Sequence, residues 1–262
     1  MKPDSWEQLK QFTAARIALG RAGASVPTGE RLAFQLAHAR ARDAVMAPFD
    51  TRTLASQFEK LPLATLVLDS CAPDRLTYLR RPDLGRKLSD HSRATLQSTD
   101  TRVSWDLVVL VSDGLSALAA TKHAPALLAL LLPKLLASGW RLAPLLVVAH
   151  ARVAVQDEIG GCLNAGMSLM LLGERPGLGS PDSLGAYLTF HPRPGKTDAD
   201  RNCVSNIRPE GLPVTVAAEK LFDLLNRSRQ LQLSGVGLKD DFALPAFSPP
   251  DTKCKTLCSP DD

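Results

Sequence analysis

From Trp105 onward, short apolar runs alternate with longer stretches in which apolar residues recur at helical spacing. The runs are apolar on both faces, which is typical of strands in a parallel sheet that helices cover on two sides. Strands are predicted at residues 107–111, 142–148, 167–172 and 186–190; helices are predicted at residues 115–136 (one or two helices), 157–164 and 214–229. This alternation predicts βαβ units, and therefore an α/β fold with a Rossmann-like parallel sheet domain over residues 101–241.

The first hundred residues follow a different pattern. Apolar residues at near-helical spacing predict helices within residues 6–20 and 30–46, joined by a turn at residues 23–29. A short β-rich piece at residues 64–68 and a helix near residues 84–96 come next. We therefore expect a smaller, mainly helical N-terminal region over residues 1–100. The tail of residues 242–262 contains four prolines and no apolar period, which predicts disorder.

Glycine-rich or polar segments follow several of the predicted strands. Ligands of open parallel sheets bind outside the carboxyl ends of the strands. The segments at residues 112–116, 173–185 and 198–211 are therefore expected to lie together on one rim of the sheet.

Charge and composition narrow the classes of function. The net charge of +4 comes from arginines spread over the chain, whereas nucleic-acid binding requires a cluster of basic residues. The most basic run, residues 75–86, is better explained as a partner-contact surface or a solvated face. The longest apolar stretch contains Lys122, Lys134 and two prolines, so it predicts core-facing helix and no membrane span.

The five cysteines are an odd number without the spacing of a disulfide framework. We expect them to be reduced thiols in a cytoplasmic protein without a signal peptide. Cys254 and Cys258 lie close together in the tail, but two ligands are too few for a metal site. No metal site is predicted.

The segment Ser112–Ser116 follows a predicted strand and opens a predicted helix, where unpaired amide groups attract anions or polar ligand groups. It contains one glycine, whereas the dinucleotide-binding fingerprint needs three. A nicotinamide cofactor is therefore disfavoured, and a simple strand-to-helix turn remains an alternative.

Three further segments contain candidate binding residues. ARVAVQDEIG, at residues 151–160, places Val153 in a strip of small and β-branched residues that would accept a large planar ligand; Asp157 and Glu158 suit a structural role at a helix start. GERPGLGSPDSLG, at residues 173–185, has four glycines that permit close backbone approach, and Glu174 is its carboxylate at the strand end.

The last of these segments, DADRNCVSNIRPEGL at residues 198–212, is rich in hydrogen-bond donors suited to the amide groups of a cofactor. The donors are Arg201, Asn202, Ser205, Asn206 and Arg208. Its thiol, Cys203, has no histidine partner at a fixed spacing, so a small buried thiol is favoured over a nucleophile.

These four segments, together with ARIALGRAG at residues 15–23 and LSGVGLKDD at residues 233–241, resemble those of the ethanolamine ammonia-lyase light chain. The resemblance extends over residues 13–241. Each motif is modest by itself, but their order and separations are specific, and GERPGLGSPDSLG is the strongest. The chain is identified on this basis as a member of that family.

The resemblance implies a small subunit that acts with a large subunit to convert ethanolamine to acetaldehyde and ammonia. The family uses adenosylcobalamin, whose cobalt–carbon bond breaks to start radical chemistry. The large subunit holds the substrate in its barrel, and the Rossmann-like domain of the small subunit closes over the cofactor at the interface. Carried over to this chain, the cofactor-binding residues are Val153, Glu174 and Cys203, and no catalytic residue is assigned.

Two expectations concern the state of the cofactor and the location of the protein. None of the five histidines lies in the Asp-x-His-x-x-Gly pattern of cobalamin modules that replace the cofactor's base, so adenosylcobalamin is expected to bind base-on. Relative to longer family members, the chain starts almost at its first predicted helix and lacks the extension associated with targeting to a bacterial microcompartment. We therefore expect a cytoplasmic location, with the microcompartment as the disfavoured alternative.

Two other classes of function remain open from the residues. One is a stand-alone Rossmann-type enzyme with a nucleotide cofactor, which would bind NAD(P) without a partner. The other is a scaffold that assembles a partner and makes no contact with a cofactor.

Overall fold

The computed structural model describes residue 4 and residues 6–13, 15–98 and 104–242 of the chain. The tail for which disorder is predicted lies beyond these described residues, apart from Phe242.

A six-stranded mixed sheet forms the centre of the protein, with strand order β1-β3-β2-β4-β5-β6. The first four strands in this order, β1, β3, β2 and β4, run parallel to one another, whereas β5 runs antiparallel to both β4 and β6. The strands are β1 (Thr65–Asp69), β2 (Trp105–Ser112), β3 (Leu145–Ala149), β4 (Ala165–Gly173), β5 (Leu184–Phe190) and β6 (Arg201–Ile207).

The prediction of an α/β fold is confirmed, but the prediction of a parallel sheet is wrong at β5, which runs antiparallel to both of its neighbours. β4 ends at Gly173 and β5 begins at Leu184, so ten residues join them. A parallel crossover needs about a dozen residues or more, whereas an antiparallel neighbour can be reached by a hairpin. Strand β6 was also missed, because the sequence prediction treats residues 198–211 as a loop.

Helices cover the sheet on both faces, as the pattern of apolar runs predicts. The larger core lies between one face and three helices, α2 (Thr51–Phe58), α5 (Ala117–Ala137) and α7 (Val214–Leu231). The second core lies on the opposite face beneath α4 (Asp90–Gln97) and α6 (Val155–Cys162). α5 is a single continuous helix although it contains Pro125 and Pro133.

The N-terminal residues form less regular structure than predicted. In place of the helix predicted within residues 6–20 there is one short 3₁₀ helix, Glu7–Phe12, after which Thr13 is extended and Ala18 has a positive φ. The second predicted helix is present as α1 (Thr28–Met46), and α3 spans Arg75–Arg80. β1 pairs with β3, so residues before position 100 contribute a strand to the sheet; the division at that position stays a prediction.

Within the described residues, no helix combines the length and the apolar character that crossing a membrane requires.

Candidate functional site: the rim and the open sheet face

The loops after β2 and β4 meet at the carboxyl edge of the sheet. The Leu115 amide donates to the Gly173 carbonyl at 2.8 Å, and the Ser116 hydroxyl donates to the Pro181 carbonyl at 2.9 Å. This approach requires glycine, because a Cβ on Gly173 would lie 2.0 Å from the Ser116 carbonyl oxygen, and one on Gly114 would lie 2.3 Å from that of Gly173.

The end of β6 joins the same rim. Because β5 is antiparallel to both β4 and β6, β6 runs in the same direction as β4. The carboxyl ends of β4 and β6 therefore lie at the same edge of the sheet. The Arg208 guanidinium donates to the Gly179 carbonyl at 3.0 Å, and the Asn206 amide donates to the Glu174 Oε2 at 3.1 Å. The expectation of one shared rim is therefore confirmed for residues 112–116, for the loop within residues 173–185 and for the third segment from Asn206 onward. It is wrong for residues 198–200, which lie at the opposite edge of the sheet because residues 201–207 form β6.

Glu174 has an oriented carboxylate at this rim. Its Oε2 accepts hydrogen bonds from the Ser183 hydroxyl and from the Asn206 backbone amide. The backbone amide of Glu174 donates to the Ser183 carbonyl at 2.9 Å, so Ser183 also holds the backbone of Glu174 in place. Among the described residues nothing donates to Oε1, so one carboxylate oxygen is available to a ligand.

Cys203 lies on the sheet face opposite the larger core and is exposed. It pairs across the strands with Tyr187, which packs against the second core. We call the surface formed by Tyr187 and Cys203, with Glu174 at its edge, the open sheet face. The structure thus corrects the expectation that Cys203 is a buried thiol, because β6 is an edge strand and the described residues leave Cys203 exposed on its outer face.

The electrostatics of this face do not activate the thiol. Loss of hydration raises the pKa of Cys203, the hydrogen bond with Tyr187 lowers it, and the charge of Glu174 raises it further; the net direction is upward. Loss of hydration, with Cys203 and Glu174 nearby, also raises the pKa of Tyr187. A thiol with a raised pKa is a poor nucleophile, so Cys203 suits contact with a ligand and not covalent catalysis.

Val153 precedes α6 and is half-buried. It packs against the same second core as Tyr187, so the two residues contact the sheet from the same side. Glu174 and Cys203 are brought close together around Tyr187. Val153 lies on the same side of the sheet, where it packs against the second core.

Two residues predicted as ligand donors have structural roles instead. Arg201 makes a two-point ion pair with Asp157, at 2.7 and 2.6 Å, and both side chains are 4% exposed. The Asn202 amide group donates to the Gly235 and Leu238 carbonyls. Asp157 therefore has the structural role expected of it, although through a partner 44 positions away that no local pattern reveals.

A buried polar cluster fills the crevice between β2 and β3, and the sequence prediction missed it. Asp113 is fully buried; its carboxylate accepts from the Arg75 guanidinium at 2.8 Å and lies 3.0 Å from His150 Nδ1. The chain leaves β2 and β3 in opposite directions there, and such a switch point is where nucleotides bind in Rossmann-like sheets. Because Arg75 occupies it, the structure offers no support for a nucleotide-cofactor enzyme.

Two features of the rim limit its chemistry. The described residues contain no group of histidine, cysteine or carboxylate side chains able to hold a metal ion. The open sheet face combines one available carboxylate oxygen, an aromatic ring and small side chains. Such a surface suits a large ligand with apolar faces and amide donors at its edge.

Comparison with known proteins identifies the family of this chain. The model of the family described as "Ethanolamine ammonia-lyase light chain (EutC)" matches residues 3–239. The chain is 54% identical over 238 residues to the ethanolamine ammonia-lyase small subunit of Azotobacter vinelandii, covering 90% of this chain and 88% of the relative. It is 49% identical over 267 residues to that of Pseudomonas fluorescens strain SBW25, covering 99% and 96%. This chain therefore belongs to the ethanolamine ammonia-lyase light chain family.

Proposed function

We propose that this chain is the small subunit of an ethanolamine ammonia-lyase, an enzyme that converts ethanolamine to acetaldehyde and ammonia, and that it forms part of the adenosylcobalamin site at the interface with a large subunit. Its family and the names of its relatives support the activity. The observation that supports the binding role most directly is Glu174, whose carboxylate is oriented by two donors while Oε1 stays available.

The residues present fit a corrinoid. A corrin ring is broad and carries amide side chains at its periphery, so it needs an unobstructed surface with acceptors at the edge. The open sheet face presents Tyr187 and Cys203 without a covering helix from the described part of the chain, and Glu174 lies beside it. Val153 adds a methyl-bearing side chain on the same side of the sheet.

The chain's own residues would bind and orient the cofactor. Glu174 would accept a hydrogen bond from an amide donor, and Val153 and Cys203 would supply contact area and exclude water. When bound, adenosylcobalamin supplies the radical chemistry, which belongs to the cofactor while the protein provides position and electrostatics. The base-on form is proposed because no histidine of the chain lies in the motif that displaces the base.

The subunit is proposed to be inactive alone. The sheet domain takes up most of the chain, and a catalytic barrel needs about 200 residues or more. The large subunit is proposed to contact the N-terminal region over residues 1–100. This region carries exposed apolar side chains on α1, where Leu32 is 56% and Leu36 is 53% exposed.

A cytoplasmic location is proposed because the cysteines of the described residues form no disulfide. Cys71, Cys162 and Cys203 are all free thiols, and reduced thiols are the rule in that compartment.

The binding role is tested by replacing Glu174 in the assembled complex and titrating it with adenosylcobalamin. A charge-assisted hydrogen bond is stronger than a neutral one, so Glu174→Ala is expected to weaken affinity about 10- to 100-fold and Glu174→Gln less. Turnover at saturating cofactor is expected to change much less. An unchanged dissociation constant for Glu174→Ala, with reduced thermal stability, would show that Glu174 only caps the hairpin.

A further inference from the structure

The hairpin loop that carries Glu174 is attached to helix α5 by an ion pair outside the open sheet face. Asp182 lies at the far end of this loop, next to Ser183. The Lys122 ammonium donates to Asp182 Oδ2 at 2.6 Å, and the buried His123 places Nε2 3.5 Å from the same oxygen. Ser116, at the start of α5, holds the neighbouring Pro181 carbonyl.

These contacts lead in one step to the carboxylate. Ser183 follows Asp182 directly, is buried, and donates its hydroxyl to Glu174 Oε2 while its carbonyl accepts from the Glu174 amide. The position of Ser183 therefore depends on where Asp182 is held. The chain of contacts is Lys122 to Asp182, Asp182 to Ser183 through the backbone, and Ser183 to Glu174.

The ion pair contributes little to folding. The Lys122 side chain is 53% exposed, and exposed ion pairs stabilise proteins weakly because water screens them. Lys122 nevertheless connects α5 to the loop through the Asp182 carboxylate, which is 12% exposed. Ser116, at the start of α5, contacts the same loop at Pro181. The main effect of this ion pair is therefore to hold the β4–β5 loop in one position, and its effect on the stability of the core is small.

We infer that Lys122 and Asp182 are positioning residues for cofactor binding, which hold the β4–β5 loop so that Ser183 orients the Glu174 carboxylate toward the corrin edge. This inference rests on the proposed function of Glu174. Neither residue needs to touch the cofactor. The charge of Asp182 matters because it keeps Lys122 in place, and the length of Lys122 matters because it spans the gap between α5 and the loop.

The test uses Asp182→Asn and Lys122→Met in the assembled complex, titrated with adenosylcobalamin. Each is expected to weaken affinity about 3- to 10-fold, which lies within the range of about 2- to 30-fold for residues that act on a site without contacting its ligand. The double variant is expected to lose no more affinity than Asp182→Asn alone, because that substitution already removes the ion pair with Lys122. The rate at saturating cofactor is expected to stay near wild type.

A matched control breaks another ion pair of the same helix. Lys134 on α5 contacts Glu219 on α7 at 2.7 Å, with a lysine side chain that is 39% exposed and a carboxylate that is 53% exposed, and this pair lies away from the hairpin. Glu219→Gln is therefore expected to leave affinity unchanged.

The decisive comparison repeats Asp182→Asn in a Glu174→Ala background. If Asp182 acts through Glu174, it has no further effect there. An equal loss of affinity in both backgrounds would mean a general effect on the fold and would overturn the inference. Wild-type affinity of Asp182→Asn and Lys122→Met, together with weakened affinity of Glu174→Ala, would also overturn it. Wild-type affinity in Glu174→Ala itself would instead refute the proposed binding role, and the inference with it.

Discussion

At the scale of single residues, Gly185 lies beside the Glu174 side chain in the β4–β5 hairpin and leaves the space that the carboxylate occupies. A Cβ built there would lie 2.9 Å from Glu174 Oε1 and 3.1 Å from the Tyr187 ring. Gly185 therefore determines how close the acceptor oxygen can lie to the open sheet face.

Gly185→Ala is expected to displace the Glu174 carboxylate and weaken adenosylcobalamin binding about tenfold, the equivalent of about 1.4 kcal/mol. The end of a flexible side chain can shift at small cost, so the fold is expected to survive. Cofactor titration of the assembled complex measures the change. Gly179→Ala is the matched control, because a Cβ at Gly179 meets nothing within 4 Å in the same loop; equal affinities for the two variants would refute this role of Gly185.

The place of Glu174 in the fold was predictable from local position, because this carboxylate directly follows an apolar strand. Its role in cofactor binding came from the family resemblance and stays a proposal. The role of Arg201 was not predictable, because its partner Asp157 lies 44 positions earlier and meets it only once β5 and β6 have folded back. The cluster of Arg75, Asp113 and His150 was missed for the same reason, since three separate segments assemble it.

At the scale of elements, α5 illustrates which features a pattern predicts well. Its apolar residues are numerous enough that a helix was expected despite two prolines, and the larger core contains Leu127, Leu128, Leu131, Leu132 and Leu135. Strand β6 was missed because only Val204 and Ile207 of its seven residues are buried apolar side chains. An edge strand with one open face has too few apolar residues to be distinguished from a loop.

The packing of α5 predicts a sharp contrast between adjacent leucines. Leu131 is fully buried and Leu130 is 39% exposed. Leu131→Ala is expected to lower the free energy of unfolding by about 2–5 kcal/mol, because it removes buried methyl groups and leaves a cavity. Leu130→Ala is expected to change it by less than about 1 kcal/mol, within the usual range for surface sites. Chemical unfolding of both variants measures the difference, and similar losses would contradict the placement of α5.

At the scale of the whole molecule, helix α1 differs in its packing from the other long helices, α5 and α7. Only Ala37 and Ala44 of α1 are buried, while Leu32, Phe34 and Leu36 are exposed. Exposed apolar residues grouped on one element are typical of a surface that a partner covers. The proposed partner is the large subunit.

This surface predicts an effect on assembly without an effect on folding. Leu32 and Leu36 are four positions apart and therefore lie on the same face of α1. Leu32→Asp with Leu36→Asp is expected to weaken association with the large subunit at least tenfold, which co-purification and analytical ultracentrifugation measure. Leu231→Asp, at the end of α7 and 56% exposed, is the control and is expected to assemble normally. Normal assembly of the α1 variant would place the interface elsewhere.

The central claim is that this chain is the small subunit of an ethanolamine ammonia-lyase and completes its cofactor site. It is tested by acetaldehyde formation from ethanolamine with added adenosylcobalamin, for this chain alone, a family large subunit alone, and both together. Activity is expected only when both are present. Acetaldehyde from this chain alone would contradict the claim, and so would full activity and full cofactor affinity of the large subunit without it.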